Sequence, residues 1–167
     1  MVYNSAMRSR PAWVKEIPAS EMVFPTTLLE QSKYLFWRFF TPVHPYFRDI
    51  LLNLGVVRHS GRQDFLIGYV APGQTIKEFV DHLVGHGFGN HFIALIDQGE
   101  VAGLRYVSDF RYQYHIRVFE DGEVRAHFEY TPECYPILHM KKVEQRDCRN
   151  EILKIIGDRI VSADRVS

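Results

Sequence analysis

Residues 111–131 read Arg-Tyr-Gln-Tyr-His-Ile-Arg-Val-Phe-Glu-Asp-Gly-Glu-Val-Arg-Ala-His-Phe-Glu-Tyr-Thr. Polar and apolar side chains alternate along residues 112–118 and again along 123–130, the mark of half-buried strands. A two-residue Asp121-Gly122 loop pairs Val118 with Arg125, so apolar faces polar along the whole hairpin. A three-residue Glu120-Asp121-Gly122 loop pairs Val118 with Val124, Ile116 with Ala126, Tyr114 with Phe128 and Tyr112 with Tyr130. The hydrophobic pattern selects this register. It also places a glycine last in the loop, where a type I turn with a bulge needs a left-handed residue.

This register fixes the other face. His115 faces His127, Arg117 faces Arg125 and Gln113 faces Glu129. Opposed Cβ atoms lie roughly 4.5–5.5 Å apart, and like charges at that distance are destabilising. Something must offset the arginine pair: solvation, a carboxylate from elsewhere in the fold, or an anionic ligand. Solvation is the simplest, because arginines splay toward water. A loop at residues 109–111 extends the threading backward. It pairs Leu104 with Ile116, Tyr106 with Tyr114 and Ala102 with Val118, and sets Arg105 beside His115. Val101 and Val107 share the polar face, which predicts that part of it is covered.

At 167 residues the chain suits one domain, long enough to bury roughly 68–70% of its unfolded surface. We expect an irregular segment over 1–24 and a single α+β domain over 25–167. Twenty basic residues balance twenty acidic ones, so any attraction to nucleic acid must come from a local patch. The two cysteines, Cys134 and Cys148, form neither a disulfide framework nor a CxxC motif. They fit free thiols in a reducing compartment, and the cytoplasm is the expectation. No apolar run reaches membrane-span length, and residues 1–18 lack a signal-peptide core.

Along the chain we expect a short strand at 13–17 and a helix over 28–40 capped by Thr26 or Thr27. On that helix Leu28, Leu29, Leu35, Phe36, Phe39 and Phe40 form the face expected to enter the core, with Tyr34 and Trp37 outside it. A second helix starts at Pro45 and ends near Gly55. A hairpin follows over 56–70. Thr75-Ile-Lys-Glu78 is a capping box opening a helix to about residue 86. Strands are expected near 91–97, 101–108, 112–119 and 123–131, and a final helix over 144–161. The expected fold class is therefore α+β: N-terminal helices, an antiparallel meander of four or more strands packed on helices, and a C-terminal helix. This element order is similar to the cone-shaped NTF2-like folds, where a curved sheet wraps an aromatic pocket. Residues 46–70 also resemble the end of a winged helix, with Arg58 and Arg62 flanking the wing.

Two histidine clusters carry candidate chemistry. His115 and His127 with Glu129 form a common metal-ligand set, but no HxH or HExxH spacing accompanies them. The pair also suits acid–base work on a phosphate. The two-histidine phosphoesterases use His-x-Ser/Thr, whereas here the strands read His115-Ile-Arg and His127-Phe-Glu. Solvated histidines are the simplest reading, so no metal or cofactor is assigned. His82 and His86 lie four apart on one helix, with Asp81 and His91 near in sequence. Gly85, Gly87 and Gly89 end a helix rather than start one, which is the wrong dipole for an anion.

The leading expectation is a non-catalytic binding module. Its sheet presents Arg105, His115, Arg117, Arg125 and His127 to an anionic partner: a nucleic-acid backbone, a phosphorylated ligand or an acidic protein surface. The alternative is a small enzyme or ligand-binding domain, with Tyr106, Tyr112, Tyr114, Phe128 and Tyr130 lining a pocket and a histidine as acid or base. A third reading is structural, with both sheet faces covered. Homo-oligomers are compatible with all three.

Overall fold

The computed structural model describes residues 11–20, 25–56, 64–90, 97–136, 139 and 146–162. It is α+β. Helices α1 (Leu28–Phe40) and α2 (His44–Asn53) precede strand β1 (Phe65–Val70). Helix α3 (Ile76–Gly85), strand β2 (Gly89–Asn90) and the meander β3 (Glu100–Val107), β4 (Tyr112–Phe119) and β5 (Glu123–Tyr130) follow. Helix α4 (Arg149–Ile156) and strand β6 (Ile160–Ser162) complete the order. The six strands form one antiparallel sheet in the order β2-β3-β4-β5-β1-β6.

The meander has the register that alternation selects. Tyr112 pairs with Tyr130, Tyr114 with Phe128, Ile116 with Ala126 and Val118 with Val124, and Leu104 pairs with Ile116. Gly122 closes the loop at φ +83°, the left-handed backbone a glycine adopts without cost. The apolar face of these strands shares one core with α3 (Phe79, Val80, Leu83) and α4 (Ile152, Ile156). Both α1 and α3 begin with complete capping boxes, Thr27 with Glu30 and Thr75 with Glu78.

Several expectations change. Residues 12–16 form a 3-10 turn, not a strand. The C-terminal helix stops at Ile156, because Gly157 takes φ +70° and ends it, and the chain turns into β6. Strand β1 pairs with β5 and β6, and the other arm of its expected hairpin, 56–59, lies almost wholly outside the described residues. The first helix is inverted. Trp37 is buried, whereas Leu28, Leu29, Leu35, Phe36 and Phe39 all stand exposed. The strand expected at 91–97, Arg58, Arg62 and His91 lie almost wholly outside the described residues.

Candidate metal centre

Strand pairing builds the site. Arg105 lies opposite His115, and His115 lies opposite His127 with Gln113 opposite Glu129. The row Arg105–His115–His127 thus crosses three strands, as the sequence predicts. The face is not open. Arg105, Gln113, His115, Arg117, His127 and Glu129 are all buried, so both sides of the central strands are covered. Only Arg125 is exposed, and it bonds Glu123.

Carboxylates from elsewhere in the chain offset the buried arginines. Arg117 reaches Asp64 (2.5 Å), Asp97 (2.5 Å) and Glu100 (2.7 Å). Arg105 donates to Glu133 (2.9 Å), to Gln113 (3.3 Å) and to Ser20. Burial alone would lower the Arg117 pKa, but Glu100 and Asp64 raise it above its ordinary value. The opposed Arg117 and Arg125 part company: one guanidinium turns into the carboxylates and the other to Glu123 at the rim.

Four of these groups are hidden from local sequence patterns. Asp64 precedes β1 and meets His127 only because β1 pairs with β5. Simple alternation puts Glu100 on the core face with Ala102. The register shift between Glu100 and Ala102 turns it onto the polar face, as a bulge does. Glu133 and His139 come from the segment after β5. The one available signal was the face itself: Val101 and Val107 predicted partial cover, and cover over paired arginines requires acids.

The centre of the network is His127. Its Nδ1 lies 2.5 Å from Asp64 Oδ1. A carboxylate only accepts, so we assign the proton to Nδ1. Burial would raise the Asp64 carboxyl, but the bond and charge from His127 and the charge of Arg117 hold it below the ordinary carboxylate range. The second ring nitrogen, Nε2, lies 3.3 Å from His115 Nδ1 and 3.3 Å from Glu129 Oε2. His115 Nδ1 can donate to this nitrogen, and a proton or cation held there would also meet Glu129 Oε2. Gln113 donates to Glu129 Oε1 at 2.7 Å and fixes the carboxylate. His139 Nδ1 lies 3.4 Å from Glu129 Oε2 and 2.8 Å from the Tyr130 carbonyl oxygen.

One potential ligand atom each from His115, His127 and Glu129 falls within 4.8 Å of the others. Ligands at about 2.0–2.1 Å around a tetrahedral ion stand roughly 3.3–3.4 Å apart. The two separations measured from His127 Nε2 match that spacing.

The other expected sites look different. Tyr106, Tyr112, Tyr114, Phe128 and Tyr130 lie together on the core face, where the rings pack on one another. Tyr112 stacks on Phe128 at 5.0 Å and on Tyr130 at 5.1 Å. Arg146 sits over Phe128 at 4.2 Å and donates to the Tyr114 hydroxyl. His82 Nε2 lies 3.0 Å from the Ile156 carbonyl oxygen, and His86 Nδ1 lies 2.8 Å from that of His82. The first contact ties α3 to α4, and the second stays at the end of α3. Cys134 is buried, and burial raises its thiol pKa, which is the wrong direction for a nucleophile.

Comparison with protein-family models, with curated proteins and with solved structures finds no match.

Proposed function

We propose that this is a metal-binding domain. His115, His127 and Glu129 would hold one divalent first-row transition ion on the buried polar face of the sheet. The observation that carries the reading is the convergence of these three atoms, with Asp64 bonded to the far nitrogen of His127. A carboxylate behind a ligating imidazole fixes its tautomer and orientation, as in metal sites generally.

Charge supports a cation. The connected network holds the carboxylates of Asp64, Glu100, Glu129 and Glu133 against the guanidinium groups of Arg105 and Arg117. With Asp97, which also reaches Arg117, five carboxylates meet two guanidinium groups among the described residues. An excess of carboxylates over arginines favours a cation over an anion at this face. The same pairing ranks an anionic partner second, because Arg105 and Arg117 already face acids of their own chain. Three protein ligands leave a fourth position for water or another ligand, where a bound ion acts as a Lewis acid and lowers the pKa of water.

The test is calorimetric titration of chelator-treated protein with Zn²⁺ and Co²⁺. One equivalent per chain is expected. At a hundredfold excess over Kd the ion should stabilise by about 2.7 kcal/mol, or roughly 5–11 °C at this size. Glu129→Gln keeps the shape and removes a ligand, so it should abolish the shift. Asp64→Asn should cost about 10–100-fold in affinity. Folded protein that takes up no ion at micromolar concentration contradicts the proposal. So does uptake unchanged in Glu129→Gln, which would place the ion elsewhere.

A further inference from the structure

We infer that the outer faces of α1 and α2 bind a second copy of this chain, closing a four-helix bundle about a two-fold axis. The ten large hydrophobic side chains that stand exposed among the described residues all fall within residues 28–56. On α1 they are Leu28, Leu29, Leu35, Phe36 and Phe39, and on α2 they are Tyr46 and Ile50. Spacings of three and four residues put each set on one side of its helix.

The inner side of the pair is already occupied. Trp37 and His44 are buried, with ring centroids 5.2 Å apart. Phe40 packs on Phe47 at 5.4 Å. Lys33, on the same helix, lies 3.8 Å over the Tyr135 ring. The pair therefore docks through its sparser aromatic side and turns its richer apolar side outward. A lone monomer has no reason to orient α1 this way, since burying the outer stripe would stabilise it more.

The exposed stripe is of dimer size. Its seven side chains on the two helices offer on the order of 800 Å² of surface, against about 300–600 Å² for the largest apolar patch of an ordinary monomer. A standard interface needs roughly 800 Å² per partner. A two-fold axis makes one patch its own complement. Charge favours a second copy over a lipid surface. Glu30, Lys33, Arg38, Arg48 and Asp49 are the charged residues of the pair, nearly balanced, whereas helices that lie on membranes are rich in Lys and Arg on their polar side.

The experiment is sedimentation equilibrium of the full chain from 1 to about 100 μM, beside Phe39→Lys and, separately, Tyr46→Lys. Phe39 is 82% exposed and Tyr46 73% exposed, so neither change disturbs the interior, and circular dichroism checks the fold. Flotation with vesicles of zwitterionic and of anionic lipid runs in parallel. A dimer that both variants convert to folded monomer, with no flotation, is the expected result. A wild-type chain monomeric throughout overturns the inference. Dimers that survive both substitutions overturn it too, because the interface then lies elsewhere. Flotation of a monomeric wild type assigns the face to a lipid surface instead.

Discussion

At the residue scale, opposed pairs were legible and their partners were not. A strict period of two places His115 against His127 and Arg117 against Arg125 from sequence alone, and both pairs are present. The acids that answer Arg117 come from sites 53 and 17 residues away, beyond any local pattern. The burial of that guanidinium has a consequence. Replacing Arg117 by Met leaves Asp64 and Glu100 buried without their cation, which should cost about 3–5 kcal/mol. Urea unfolding measures it, and a loss below about 1 kcal/mol would mean that water reaches the network. A second residue gives a pH signature. Burial pushes the Cys148 thiol up from 9.0 to about 12. Below pH 9 both folded and unfolded chains keep this proton, and its contribution is constant. Above pH 9 the unfolded chain releases it and the folded chain does not, so stability falls as pH rises toward 12. The slope reaches at most about 1.4 kcal/mol per pH unit. Chemical unfolding at pH 8, 9.5 and 11 should show a shallower decline for Cys148→Ala than for the wild type.

At the element scale, capping boxes and turn glycines fixed the starts and stops of α1, α3 and the hairpin loop, since a single side chain decides each. The orientation of α1 escaped the same reading. An apolar stripe marks a face that will be covered, but not by what. Trp37, outside the stripe, is the buried anchor. The edge of the sheet was equally hidden, because β6 forms only after Gly157 ends α4. That edge depends on Gly68, which sits at φ +155° in β1, where an added Cβ would overlap the carbonyl oxygen of Val161 and the side chain of Ile160. Gly68→Ala should therefore separate β1 from β6. The expected loss is about 1–3 kcal/mol, as for other overpacked sites, and hydrogen exchange should be faster at β6 than at β4. Unchanged protection at β6 would show that the two strands adjust without parting.

At the scale of the whole molecule, the α+β class and the meander followed from alternation and local helix signals. Closure of the sheet did not. Strand β1 joins β5 across about 60 residues of chain, and such pairing leaves no mark on local sequence. The face expected to be an open basic surface is instead a buried network of arginines and carboxylates. Among the described residues no helix is long and apolar enough to cross a membrane. The most direct measurement is X-ray absorption at the zinc edge on protein loaded with one equivalent of Zn²⁺. Two imidazole nitrogens and a carboxylate oxygen at about 2.0–2.2 Å are expected, with one further light atom. A sulfur shell near 2.3 Å, or a first shell without imidazole scattering, would contradict it.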